Sequence, residues 1–208
     1  MSRDSHGLVE SLARRYKLLD RMRRRLERLV AERHLSERLV ETMYEGLFLN
    51  ACTAFEGFIE NLFIGLLVNK TTGKSSPRRT VPRLTIRSHL VAHELICGPR
   101  RPYVDWLPYD NTMNLAGLFF RGGRPFNRLS EAERDLLRRS VIVRNAIAHK
   151  SRFSLLKFET DVIGALPVTA RERRPSGYLR GAMVTAPIQT RYENLVSGIL
   201  LIARHIAK

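Results

Sequence analysis

The stretch SEAERDLLRRSVIVRNAIAHK, residues 130–150, decides the fold. Its Ser130 and Glu133 have the spacing of a capping box, in which each side chain bonds the backbone N–H of the other residue at a helix start. Apolar residues follow at helical spacing, among them Leu137 and Val141. The pattern predicts an amphipathic helix that begins at Ser130.

Two long helices are predicted before this stretch. Residues 7–34 carry apolar side chains at three- and four-residue steps: Leu8, Leu12, Tyr16, Leu19 and Met22. The outer face of this helix is rich in arginine. Ser36 is a suitable N-cap for a second helix that extends toward Asn69. We expect the two helices to pair antiparallel, with the acidic face of the second opposite arginines of the first.

The rest of the chain alternates short helices with loops. Shorter helices are predicted at 86–96, 112–120 and 191–207. Glycine, proline and serine mark residues 71–83 as an exposed basic loop, and prolines with the single tryptophan mark 97–111 as an ordered loop.

Residues 164–189 contain helix breakers and β-branched residues, which favour a small β-hairpin near the C-terminus. The predicted fold is therefore all-α, a helical bundle with this hairpin as an insertion. A chain of 208 residues fits one domain, residues 1–208, of which residues 1–35 form a basic N-terminal helix.

Composition narrows the class of protein. The chain has 36 Lys+Arg against 20 Asp+Glu, a formal charge of +16, and 44% hydrophobic residues, which excludes a disordered tail. Such a charge attracts any polyanion, and thirty of the cations are arginines, which suit bidentate phosphate contacts. The N-terminus turns charged early, and we expect no apolar run to be long enough for a membrane span, so we expect a cytoplasmic protein without membrane contact. Two cysteines are too few for a disulfide scaffold or a thiolate zinc site.

Arg144, Asn145 and His149 form the candidate site. Arginine supplies a permanent cation with parallel donors, and histidine exchanges a proton near neutral pH, so the pair suits a phosphate substrate. Five residues place Arg144 and His149 about 140° apart on a regular helix. They converge only if the arginine reaches round or the helix ends near His149. The alternative is structural: His149 and Lys150 complement the helix dipole, and Arg144 is a surface or ion-paired residue. We predict no metal and no cofactor.

The string RNAIAH, residues 144–149, resembles the Arg-x4-6-His signature of HEPN domains, compact all-α bundles. Three further stretches are similar to the RiboL-PSP-HEPN branch: NACTAFEGFIENLF (50–63), LPYDNTMNLAGLFFRGGRPFNRL (107–129) and SGYLRG (176–181). The resemblance spans about residues 36–205 and implies an RNA-cleaving toxin or phage-defence effector.

The resemblance implies metal-independent endoribonuclease activity, with attack by the ribose 2′-OH and 2′,3′-cyclic phosphate and 5′-OH products. His149 would be the general base or acid, Arg144 the phosphate-binding cation and Asn145 the orienting residue. Glu56 is a weaker candidate, on the earlier long helix, with a surface acid or ion pair as the other interpretation.

Partners also follow from the resemblance. The resemblance implies three partners: RNA, a second copy of the chain that completes a composite active site, and an antitoxin or other defence-system protein. Ser151 stands where related toxins often carry a tyrosine that becomes adenylylated, so control by that route is not expected. The alternative function is a non-catalytic HEPN module that binds RNA, nucleotide or a protein partner.

Overall fold

The structure, a computed structural model, describes residues 4–68, 80–84, 86–98, 103–183 and 187–208. Its α-helices in chain order are α1 (Ser5–Ala31), α2 (Glu37–Leu67), α3 (His89–Cys97), α4 (Tyr109–Phe119), α5 (Glu131–His149), α6 (Arg152–Phe158), α7 (Pro175–Arg180) and α8 (Arg191–Ile206). Two 3₁₀ turns, Arg121–Gly123 and Phe126–Arg128, and a π-helical turn, Glu159–Ile163, complete the helical structure of these residues. The prediction of an all-α fold is confirmed.

The predicted starts of α2 and α5 are confirmed by their caps. Ser36 Oγ accepts a hydrogen bond from the Leu39 backbone N–H at 3.3 Å. At α5, Ser130 N donates to Glu133 Oε2 at 2.8 Å, and Glu133 N donates to Ser130 Oγ at 3.3 Å. The capping box therefore fixes the register of the helix that carries the candidate site.

The small hairpin near the C-terminus is present. Strand β1 (Ala182–Met183) pairs antiparallel with β2 (Gln189–Thr190), so that Ala182 faces Thr190. The hairpin occupies only the end of the predicted segment, because α7 forms within 164–189 as well. Helix α6 and the π-helical turn were not predicted either. Most of the predicted basic loop at 71–83 lies outside the described residues.

The chain forms two compact units. The first comprises Met1–Ala13, Phe55–Leu137 and Leu200–Lys208, and the second comprises Arg14–Ala54 and Arg138–Ile199. Helices α1, α2, α5 and α8 each contribute a segment to both units. No single cut in the sequence separates the units, and the single-domain interpretation stays a prediction.

The core of the first unit is aromatic. Phe63 of α2 has four aromatic neighbours with ring centroids 4.9 to 6.0 Å away: Trp106, Phe119, Phe120 and Phe126. Buried polar groups at its edge are bonded, since Thr112 Oγ1 donates to the Trp106 carbonyl at 2.7 Å and Tyr109 Oη to the Phe126 carbonyl at 2.9 Å. These bonds anchor the segment around Trp106. Residues 99–102 of the predicted ordered loop lie outside the described residues, and its last three residues belong to α4.

In the second unit α1 and α2 pair antiparallel, as predicted. Tyr16 Oη donates to the Ala51 carbonyl at 2.9 Å, and Tyr44 Oη donates to Glu27 Oε1 at 2.7 Å. A later residue of α1 thus meets an earlier residue of α2. The ring of Tyr192 from α8 packs edge-on against Tyr44, with centroids 5.6 Å apart.

The expected burial of Met22 is wrong, and the expected pairing of α2 acids with α1 arginines is not found in the first half of α2. Met22 is 49% exposed, whereas its neighbour Arg23 is 7% exposed and forms ion pairs with Asp20 and Glu193. An apolar pattern cannot foresee an arginine buried by its carboxylate partners.

The acids of the first half of α2 also do not pair with α1 arginines. Glu37 and Glu41 pair with Arg171, and Glu45 pairs with Lys150. All of these partners come from chain segments far along the sequence.

Helix α2 is long and apolar enough to cross a membrane by length and composition alone, contrary to the expectation from sequence. In its most apolar window 56% of the residues are buried within the protein. A core helix passes the same test of length and composition, so this finding is weak evidence. The expected cytoplasmic location stays a prediction.

Candidate functional site

Helix α5 positions Arg144, Asn145 and His149. Between Asn145 and His149 the helix is anchored by buried apolar side chains, Ala146 at 1% and Ile147 at 4% exposed. Arg144 and Asn145 are half-buried, whereas His149 is exposed. The site therefore lies at the edge of the second unit, where a rigid helix carries its polar groups to solvent.

Arg144 and Asn145 act on each other directly. Arg144 Nη1 donates a hydrogen bond to Asn145 Oδ1 at 2.9 Å. This bond restricts the long arginine side chain, which also makes a further interaction within the protein. An orienting role for Asn145 stays a prediction, and this hydrogen bond is the contact through which Asn145 would act.

The backbone around His149 is fixed on both sides. Helix α5 ends at His149, and the next residue, Lys150, has a positive φ of 48°. Lys150 Nζ forms an ion pair with Glu45 Oε2 at 3.0 Å. Ser151 then caps α6, since its Oγ accepts from Ser154 N at 3.2 Å. The histidine is held in a defined turn between two helices.

The imidazole of His149 is exposed and forms no hydrogen bond or ion pair with the residues that the structure describes. It is not hydrogen-bonded to Arg144. Because α5 is helical through both positions, the two side chains leave the helix in directions about 140° apart. The spacing allowed Arg144 and His149 to converge if the arginine reached round the helix or if the helix ended near His149. The helix does end at His149. Within one chain, the structure does not join the arginine and the histidine.

Glu56, the fourth candidate, lies on a different helix from these three residues. It is a half-buried residue of α2 in the first unit and makes a polar interaction of its own. The motif residues belong to the second unit. A part for Glu56 in the chemistry stays a prediction.

Sequence reasoning missed the ion pair between Lys150 and Glu45. It took Lys150 as a complement to the helix dipole, but the structure assigns the lysine to an acid of α2. More than a hundred residues separate the two in sequence. A local pattern therefore carries no signal for this contact.

The second unit also contains a cavity of about 440 Å³ with charged walls. Its lining residues are Arg23, Glu27, Thr169, Arg171, Glu172, Gly177, Arg180, Gly181 and Thr190. Arg180 donates to both carboxylate oxygens of Glu27 at 2.9 Å. Among the described lining residues all three arginines are in ion pairs, so their charge is already neutralised.

The carboxyl groups of this cavity titrate below their ordinary range. Burial acts to raise the pKa of Glu27 and Glu172. Hydrogen bonds outweigh it, from Arg180 and Tyr44 to Glu27 and from Arg191 to Glu172, so both pKa values are lowered. The carboxylates stay charged at neutral pH, and the network serves stability better than catalysis.

One further polar cluster lies in the first unit. His93 Nε2 is 3.5 Å from Glu60 Oε1, and His93 Nδ1 is 3.5 Å from Cys97 Sγ. Burial and the charge of Glu60 raise the pKa of the Cys97 thiol. A thiol with a raised pKa is a poor nucleophile at neutral pH, so this cluster does not compete with α5 as the candidate site.

Comparisons with protein-family models, curated proteins and solved structures found no match. The case for a function therefore rests on the residues themselves. It begins from the end of α5, where a positioned cation, an amide and an exposed histidine lie within six consecutive residues.

Proposed function

We propose that this protein is a metal-independent endoribonuclease of the HEPN type, in which Arg144, Asn145 and His149 form the site. The observation that carries the proposal is the arrangement at the end of α5. An arginine held by its neighbouring amide and an exposed histidine at a fixed helix end provide a phosphate ligand and a proton-transfer group.

The chemistry follows from what these groups can do. The ribose 2′ oxygen forms a bond to the adjacent phosphorus while the P–O5′ bond breaks, giving a 2′,3′-cyclic phosphate and a 5′ hydroxyl. Neutral His149 accepts the 2′-OH proton, or protonated His149 donates a proton to the leaving O5′. Arg144 donates hydrogen bonds to the non-bridging phosphate oxygens, on which charge accumulates in the transition state. Asn145 keeps the guanidinium in place.

A second copy of the chain is part of this proposal. One histidine cannot be base and acid in the same step, and Arg144 and His149 leave α5 in different directions. Two motifs facing each other across a two-fold axis would supply a histidine from each protomer. Exposed apolar side chains on α6, directly after the motif, support a contact surface there: Phe153 is 76% exposed and Leu156 is 62% exposed.

The activity fits a toxin or phage-defence effector. Free cleavage of cellular RNA would harm the host, so we include an antitoxin or other defence-system protein as its regulator. The cytoplasm, where RNA is present, is the proposed location.

The decisive experiment measures RNA cleavage in EDTA by wild type and by His149→Ala. We expect the wild type to cut single-stranded RNA to cyclic-phosphate ends and to leave the 2′-deoxy strand intact. General acid–base catalysis contributes about 10² to 10⁴-fold, so His149→Ala should lose activity on that scale while it keeps RNA binding. His34→Ala, another exposed histidine of the same unit, is the matched control and should cut normally.

Other outcomes separate the alternatives. RNA cleavage that persists in His149→Ala would refute the assignment of His149 as the proton-transfer group. RNA binding by the wild type without any cleavage would instead support the non-catalytic module. Arg144→Lys keeps the charge but loses the planar fork of donors, so we expect it to bind RNA and cut it more slowly. A purely structural Arg144 predicts loss of folding stability in Arg144→Ala and no cleavage by any variant.

A further inference from the structure

The exposed side of α1 carries a row of cations that the proposed chemistry does not use. All of them lie in the second unit and are exposed. This group, the α1 stripe, consists of Arg14, Lys17, Arg21, Arg24, Arg25 and Arg28.

The stripe is narrow and continuous. At about 100° per residue its six side chains fall within an arc of roughly 100°. The centre of that arc is opposite the buried face of α1, which includes Leu12, Tyr16 and Leu19, each 3% to 4% exposed. From Arg14 to Arg28 the stripe extends about 21 Å at 1.5 Å per residue. A linear, one-sided row of this length is typical of a surface that follows a charged polymer.

The charge of the stripe is largely uncompensated. Arg24 pairs with Asp20 at 2.8 Å. Within the described part of the chain, Lys17, Arg21, Arg25 and Arg28 have no ion-pair partner. Several of these cations are three or four residues apart, a spacing at which like charges repel on a helix. A bound polyanion would relieve this repulsion.

The cations of the cavity show the contrast. Arg23, on the opposite side of the same helix, pairs with Asp20 and Glu193. Arg180 pairs with Glu27. The protein therefore neutralises these two cavity arginines, whereas Lys17, Arg21, Arg25 and Arg28 of the stripe have no ion-pair partner among the described residues.

We propose that the α1 stripe binds the sugar-phosphate backbone of single-stranded RNA, and the choice of RNA rests on the proposed function. Five of the six cations are arginines, whose planar guanidinium suits bidentate contacts with phosphate. Leu18 and Met22, 39% and 49% exposed, border the stripe and offer apolar contact to sugars and bases. An anionic membrane fits less well, because the apolar face of α1 is buried in the protein and cannot insert into lipid.

The size of the effect follows from counterion release. Each neutralised phosphate of a single strand contributes about −0.7 to the slope of log Kobs against log salt. Three lost contacts would lower the magnitude of that slope by about 2. At an ionic strength near 0.1 M this corresponds to roughly 10²-fold weaker binding.

The test compares two triple variants in a His149→Ala background, so that cleavage does not interfere with binding. The first combines Arg21→Gln, Arg25→Gln and Arg28→Gln, because glutamine keeps the helix propensity of arginine. The control makes the same charge change at three exposed arginines elsewhere: Arg87→Gln, Arg121→Gln and Arg204→Gln. Binding of a fluorescein-labelled oligouridylate is followed by anisotropy over a salt series, and circular dichroism checks folding.

We expect the stripe variant to lose about 2 from the salt slope and the control variant to bind nearly like its parent. Equal losses in both, or none in the stripe variant, would overturn the proposal. If the triple variant fails to fold, Arg21→Gln alone should lower the slope by about 0.7. Normal RNA binding combined with lost binding to phosphatidylserine vesicles would identify a membrane surface instead. If the His149→Ala parent binds RNA normally but the wild type cuts no RNA, the proposed nuclease activity is refuted and the RNA-binding role of the α1 stripe is not.

Discussion

Replacing Gly177 with alanine should destabilise the protein, because α7 packs directly against the chain that precedes it. A Cβ atom at residue 177 would lie 2.9 Å from the carbonyl carbon of Arg171 and closer still to its oxygen. Real Cβ atoms essentially never come within 3.0 Å of such atoms, and backbone cannot rotate away as a side chain can. The substitution therefore forces residue 171 or α7 to move by about 1 Å.

Gly46→Ala provides the matched control. Gly46 lies inside α2 with nothing within 4 Å of an added Cβ. A glycine in a helix interior costs about 1 kcal/mol relative to alanine, so Gly46→Ala should be stabilising by up to that amount. Overpacking costs about 1 to 3 kcal/mol. Both substitutions replace a helical glycine, so the comparison removes part of the gain in helix propensity from the measured steric cost.

Urea denaturation followed by far-ultraviolet circular dichroism gives the two free energies of unfolding. We expect Gly177→Ala to be less stable than Gly46→Ala by about 1 to 3 kcal/mol, and less stable than wild type. A Gly177→Ala protein as stable as Gly46→Ala would refute the close approach of α7 to residue 171.

Two further predictions concern the carboxylates of the cavity in the second unit and the aromatic core of the first unit. The pKa values of Glu27 and Glu172 are lowered in the folded protein, so the unfolded chain takes up protons first as the pH falls. The stability that these carboxylates provide is therefore complete above about pH 4.5 and is lost below it. Urea titrations at a series of pH values should show this loss and Glu172→Gln should make its pH dependence shallower, whereas an unchanged slope would contradict the role of the carboxylate. Phe63→Ala removes a ring with four aromatic neighbours and should cost about 3 to 5 kcal/mol in the same assay, so a loss below about 1 kcal/mol would contradict its central place.

The long helices could be predicted because their burial follows the 3.6-residue period. Leu12, Tyr16 and Leu19 are buried as their spacing indicated. The pattern failed at Met22 and Arg23, because the partners that bury Arg23 include Glu193, which is 170 residues away. A hydropathy pattern contains no information about an ion pair such as that of Arg23 with Glu193.

Helices α6 and α7 were missed for a related reason. Helices of six or seven residues, such as α6 and α7, have little stability of their own and depend on tertiary contacts. A local sign was nevertheless present in α7, which begins with Pro175 at its first helical position, where proline is favoured. Gly177 is one of the helix breakers of residues 164–189, but glycine is needed at this position because α7 packs closely against the backbone of Arg171.

The candidate site was predictable as a local motif and not as an arrangement. The sequence predicts that Arg144 and Asn145 share a helix with His149, and the structure agrees. The hydrogen bond from Arg144 to Asn145 depends on a side-chain conformation that spacing does not determine. The ion pair of Lys150 with Glu45 depends on the packing of distant segments.

The aromatic cluster around Phe63 has a practical consequence for measurement. Trp106 is the only tryptophan of the chain, and it lies in the first unit with its ring 5.2 Å from that of Phe63. Its emission therefore reports on the surroundings of the first unit, whereas the motif residues belong to the second. An experiment that follows fluorescence alone would be blind to local opening around His149, and a probe placed in the second unit would be needed to see it.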